Sequence, residues 1–180
     1  MLTDTNTLLS KTIKLYTKAT YNHASIALEP TLLKPYSFGR KHAHNPFSGG
    51  FVEEDLTRHY FSSAQCAIYC CEVTESQYET IVERLSFYNE TKDLYHFNLL
   101  GLVTLALNID FERSDAFFCS QFVATLLNES DVCTLEKEPH FITPEELSQI
   151  PIFEPVYSGA LQDYLQMVSE EQIKPQLLLS

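Results

Sequence analysis

The chain has 180 residues, 44% of them hydrophobic, with 12 Phe, 10 Tyr and no Trp. That is enough to bury a core without disulfide or metal staples and suits one domain over 1–180. A formal net charge of −12 with no Lys/Arg cluster excludes nucleic acid as an expected partner, because phosphate binding needs a basic face.

The N-terminus, MLTDTNTLLSKTIKLYT, has no basic stretch followed by an apolar run and does not read as a secretory signal. The longest apolar segment, Leu99 to Leu107, is about half the roughly 18–20 residues of a membrane span. Five cysteines at irregular spacing, without a C-x-x-C pair, fit free thiols in a reducing compartment. A cytoplasmic location is therefore expected.

In chain order, residues 11–18 alternate apolar and polar and predict a strand. Residues 22–29 (NHASIALE) predict a second, with Ala24, Ile26 and Leu28 on one side and His23, Ser25 and Ala27 on the other. A turn over 30–34 leads to a third short strand, 35–40 (PYSFGR), and the three are expected to form an antiparallel meander. Residues 41–50 (KHAHNPFSGG) read as a loop, and 51–60 as ambiguous, with room for one helical turn. Residues 65–73 (QCAIYCCEV) read as a central strand.

Thr74-x-x-Gln77 is a capping box that opens a helix, with Tyr78, Ile81, Val82 and Leu85 at helical spacing. A second, apolar helix is expected over 98–107. A third is expected from a cap at Ser114 or Asp115, with Phe118, Phe122 and Leu126 on one stripe, ending at Asn128 or Ser130. Thr143-Pro144-Glu145-Glu146 begins a fourth, with a cap, a first-turn proline and acids near the positive end of the dipole. A last strand is expected over 153–158 and a short helix over 160–168. The core is expected to span about 11–165, with 169–180 a frayed tail. Strands followed by helices favour α+β over alternating βαβ.

Cys119 is the residue with the clearest chemical potential. Near a helix N-terminus, unpaired N–H groups and the dipole favour a thiolate, which is the nucleophilic form, and the Cys119 N–H is placed to help hold an oxyanion. Taken alone, it reads more readily as a small buried hydrophobe. His23 has small polar neighbours, Asn22 and Ser25, that leave room for a substrate. A histidine of this kind is commonly structural when considered singly. A cysteine at a helix start together with a histidine on a strand is a thiol/imidazole pair, in which the imidazole takes the thiol proton and returns it to the leaving group.

His42-x-His44 could share a metal, but Cys66, Cys70 and Cys71 lack zinc-ligand spacing. No metal or cofactor is expected. His59, His96 and His140 read as structural. Neither a phosphate-binding glycine loop nor a G-x-S-x-G nucleophile turn occurs.

The segments YNHASIAL, YSFGRK, GGFVEED and FFCSQFVATLL resemble small bacterial proteins of the NlpC-type papain-like superfamily. The likeness is to its circularly permuted branch, where histidine precedes cysteine, and it covers roughly 11–165. That branch includes lecithin–retinol acyltransferase-like and desumoylating-peptidase-like proteins. The resemblance implies an α+β permuted papain-like fold, an antiparallel sheet or partial barrel packed on the helix that bears the cysteine. It implies Cys119 as nucleophile, His23 as base and a polar third residue on the next strand. Ser37 is the nearest match to that third residue, with Glu53, Glu54 and Tyr36 as alternatives. Arg40, Ser25, Asn22 and Ser120 are candidates for holding substrate.

The expected function is a cysteine hydrolase of the peptidase/amidase kind that cleaves a peptide or γ-glutamyl amide through a thioester. An acyltransferase or thioesterase using the same pair, or a binding module without catalysis, stands beside it.

Overall fold

A computed structural model describes residues 1–4, 19–40, 49–97 and 116–177. The expected strand over 11–18, the expected helix over 98–107 and the caps Ser114 and Asp115 lie outside the described residues, as do His42 and His44.

The architecture is α+β. Eight strands are described: β1 Leu2–Asp4, β2 His23–Ala24, β3 Tyr36–Arg40, β4 Gly49–Glu53, β5 Gln65–Cys70, β6 His96–Phe97, β7 Ala116–Phe117 and β8 Glu154–Ala160. Four α-helices accompany them: α1 Glu75–Glu90, α2 Cys119–Glu129, α3 Pro144–Leu147 and α4 Leu161–Leu177. None of these helices is long and apolar enough to cross a membrane.

The main sheet is antiparallel, in the order β2-β1-β5-β8. Its interior strand β5 is the β-branched, aromatic and cysteine-rich run read from the sequence. The first strand of the chain, β1, lies before the expected start of the core. It is only three residues long, too short to show alternation, yet it pairs on both edges, with Thr3 opposite both His23 and Cys66.

The expected meander is corrected. β2 and β3 form no ladder: the isolated Ile26–Tyr36 bridge just past β2 and the Ser37 hydroxyl bond to the Ala24 carbonyl connect them. The full partner of β3 is β4, with Ser37 opposite Val52 and Gly39 opposite Gly50. GGFVE is therefore a strand, where the reading was the end of a loop and an ambiguous stretch. Its two glycines hid the pattern, since a residue without a side chain adds nothing to alternation. The one helical turn in this stretch comes later, at His59–Phe61.

The helices follow local rules where those rules are strong. Thr74 accepts the Gln77 amide while the Gln77 side chain returns to the Thr74 amide, so the capping box opens α1. Thr143 and Glu146 do the same for α3, with Pro144 in the first turn. The end of the chain is corrected too: α4 runs to Leu177, beyond the expected end at 168.

Two apolar clusters form. One gathers α2 (Phe122, Leu126), the β3-β4 pair (Phe38, Phe51), Leu85 and Tyr88 of α1, and Leu147. The other lies beneath α4 and holds Leu161, Tyr164, Phe61, Cys66 and Ile68. Phe38 is the centre of the first, with its ring against Phe51, Tyr88, Tyr95, Phe117 and Phe122 at centroid distances of 5.0–6.1 Å. These are favourable edge and tilted geometries.

Candidate active site

Helix α2 starts at Cys119. Its N-cap is Phe118, in extended backbone with no capping side chain. The expected start at Ser114 or Asp115 is therefore too early: Ala116–Phe117 are a strand, and the cysteine is the first helical residue. The first turn of a helix has amide N–H groups without partners inside the helix, and here no side chain of the cap takes one.

The helix is anchored rather than free. The Ser120 hydroxyl donates to the Ile142 carbonyl at 2.7 Å, and Phe122, Ala124 and Leu126 are fully buried. An anchored helix start fixes where the sulfur points. Cys119 is itself 5% exposed.

His23 comes to this sulfur from the edge strand β2. Its side chain, 17% exposed, has Nε2 2.5 Å from Oε1 of Glu54, which is 6% exposed. The Cys119 side chain acts on the same ring by charge and by a hydrogen bond. Burial pulls the imidazole towards its neutral form. The Glu54 carboxylate, then the Cys119 side chain, oppose that pull and prevail, and the His23 pKa is pushed up from 6.5 to about 10.

Glu54 is placed by the backbone just beyond β4: its amide donates to the Pro35 carbonyl at 2.7 Å. Its second carboxylate oxygen, Oε2, is buried without a hydrogen-bond partner among the described residues. Gly39 of β3 passes over the ring: a Cβ there would meet His23 Cε1 at 3.7 Å, an ordinary contact.

The other expected site residues have other partners. Ser37 is buried and donates to the Ala24 carbonyl at 2.9 Å, away from the imidazole nitrogens. It ties β3 to the residue after His23, so it supports the strand and not the ring. Tyr36 stacks on Phe51 at 5.8 Å. Glu53 is exposed, one residue before Glu54, so strand alternation sends it away from the imidazole.

Asn22 donates through its side chain to Asp4 at 2.7 Å and through its amide to Thr3. Ser120 is closed off by its bond to Ile142. Ser25 is 3% exposed, and its hydroxyl has no partner among the described residues. Arg40 ends β3 opposite Gly49, and its side chain lies outside the described residues. Among the described residues no three His, Cys, Asp or Glu side chains sit together to hold a metal ion.

The site that forms is thus Cys119, His23 and Glu54. Its elements come from three separated parts of the chain, in the order histidine, carboxylate, cysteine. The carboxylate was one of three alternatives in the sequence. What distinguishes it is visible only in the fold: Glu54 is buried and lies on the same strand face as Val52, the face that meets His23 beside Gly39, and a glutamate is rarely fully buried unless paired.

No family model, no curated protein and no solved structure matches the chain.

Proposed function

We propose that the protein is a thiol hydrolase of permuted papain-like fold that cleaves an amide bond through a thioester on Cys119. The observation that carries this reading is the His23 imidazole held by the buried Glu54 carboxylate at 2.5 Å, with the Cys119 side chain near enough to help raise its pKa.

A strongly basic imidazole takes the proton of the thiol. The sulfur attacks the amide carbonyl carbon, and a C–S bond forms. The oxyanion is met by N–H groups of the uncapped first turn of α2. When the C–N bond breaks, His23 gives its proton to the departing amine. Water, deprotonated by the same imidazole, then attacks the thioester and releases the acid and the thiol. Glu54 holds the ring in one orientation and stabilises the imidazolium in every step that forms it. The substrate is peptide-like or acyl in character, with no cofactor.

The enclosure of Cys119, at 5% exposure, favours a second reading, a binding module on the same fold. One experiment separates the two. Purified protein is offered a library of acyl amides and the release of amine is followed, with Cys119→Ala and His23→Ala as comparisons. Turnover lost by on the order of 10⁴-fold or more in both variants, with an acyl mass trapped on Cys119, supports the hydrolase. Turnover that survives Cys119→Ala overturns it.

A further inference from the structure

Strand β1 is shorter than the strands it lies between. It pairs with β2 through Leu2–Ala24 and Thr3–His23, and with β5 through Leu2–Ala67, Thr3–Cys66 and Asp4–Gln65. Past these rungs the Met1 and Ser25 backbones exchange bonds of 2.8 and 2.9 Å, and there the ladder stops. The two neighbours run on. β5 continues from Ala67 to Cys70, paired on its other side with β8. The chain after β2 continues to Ile26, whose backbone bonds go to Tyr36 on its far side.

Two backbones that flank a strand lie two ladder steps apart, roughly 9–10 Å. Past Met1 that interval belongs to a cleft of about 420 Å³. Met1 and Leu2 line it where β1 stops, Ala27 and Leu28 line it on one side, and Tyr69 and Cys70 on the other.

Ala27 shows what kind of chain suits this cleft. In an antiparallel ladder alternate residues turn their backbone groups to the same side. Ser25 turns its groups to Met1 and Ile26 turns its groups to Tyr36, so Ala27 turns its N–H and C=O towards the cleft. Neither has a hydrogen-bond partner among the described residues. An unpaired donor and acceptor on a strand edge are a template for another strand. A helix, about 10–12 Å across with its side chains, is too wide for the interval and has no free backbone groups to offer Ala27.

The lining and its surroundings define the chemistry of the occupant. No lysine or arginine lines the cleft, and its one charged residue is Glu29. Glu72, Glu79 and Glu154, all exposed, each follow a lining residue: Cys71, Tyr78 and Phe153. Tyr78 and Val156 line the cleft and stay about half exposed, so its apolar wall continues onto the surface. The whole chain carries a net charge of −12, so a second copy brings like charge to this place and a basic segment brings the opposite charge.

We propose that the cleft is a strand-addition site for a partner protein. It takes an extended segment in line with β1, apolar on both faces where it lies between Ala27 and Tyr69, with lysine or arginine where it leaves the cleft. The site is separate from Cys119 and His23, neither of which lines it, and it does not rest on the hydrolase reading.

The probe is the blocked peptide acetyl-Lys-Lys-Val-Val-Val-Val-Lys-Lys-amide, added to the wild-type protein, with affinity read by calorimetry and the Ala27 amide followed by hydrogen exchange. The bound peptide is expected to slow exchange at Ala27 by roughly tenfold or more. A segment between two strands uses all its N–H groups, so proline at either central valine is expected to weaken binding by roughly tenfold or more. Glutamates in place of the lysines are expected to weaken it by a similar factor at low salt and by less as salt rises. The double variant Glu29→Lys/Glu72→Lys, altered only at exposed side chains, is expected to reverse the order of the two peptides.

A lysine peptide that leaves the Ala27 amide unprotected at roughly millimolar concentration overturns the site. Proline peptides that bind as well as the parent overturn strand addition. Protection of Ala27 that rises with protein concentration and needs no peptide gives the cleft to a second copy and overturns the partner.

Discussion

Glu54 and His23 meet through Oε1 and Nε2 at 2.5 Å, 31 residues apart in sequence and both nearly out of water. A carboxylate in that position does more than fill a polar contact. It holds the ring at one nitrogen and raises how strongly the imidazole keeps its proton.

The roles of Glu54 and Ser37 are separable by mutation. Glu54→Gln keeps the shape but removes the charge, so the alkaline limb of the pH–rate profile is expected to fall by roughly 1–3 pH units. Ser37→Ala removes a buried bond to the Ala24 carbonyl and is expected to cost about 1–2 kcal/mol of stability, with the profile unmoved. A profile shifted by Ser37→Ala and not by Glu54→Gln would return the orienting role to the serine.

Stability should depend on alkaline pH through His23. Its folded pKa, about 10, lies above the ordinary 6.5. The native state therefore holds a proton that the unfolded chain has released between these values. The contribution is complete below pH 6.5 and is lost as pH rises towards 10. Denaturant midpoints measured across that window should decline for the wild type and decline less for His23→Gln, and parallel curves count against a raised imidazole.

Gly39 marks how much room the imidazole has. A methyl group there makes only ordinary contacts, 3.7 Å to His23 and 3.8 Å to Val52. Gly39→Ala is expected to fold, to gain up to about 1 kcal/mol through the unfolded state, and to keep turnover within a few-fold. Gly39→Leu must displace the ring, and its turnover should fall by tenfold or more with KM changed little. Equal kinetics for both variants would show that the ring is not held from this side.

Phe38 joins the strand pair to the helix that begins at Cys119 through its contacts with Phe51 and Phe122. Phe38→Ala is expected to destabilise by about 3–5 kcal/mol, measured by denaturant unfolding. A cost under about 1 kcal/mol would mean that the aromatic cluster does not hold these elements together.

What the sequence made legible divides by the range of the interaction. Thr74/Gln77 and Thr143/Glu146 were readable because a cap is settled within four residues. Strand β5 was readable because five of its six residues are apolar, aromatic or β-branched. The α+β class was readable from element order. β1 and β4 were not, because three residues in one case and two glycines in the other leave no periodic signal, and their partners alone determine them. Helix α2 begins later than expected because the helical pattern of its apolar residues also runs back through Ala116 and Phe117, where pairing with β6 wins. The third residue of the site stayed open because Ser37, Glu53 and Glu54 differ in what they reach through space, which neither spacing nor residue type records.

The short parallel pair β6-β7 has His96 beside Ala116 and Phe97 beside Phe117. Phe117 stands two residues before Cys119, where the helix begins, so this pairing moors the backbone on the approach to the sulfur, and the cysteine's position is held by a strand as well as by its own helix.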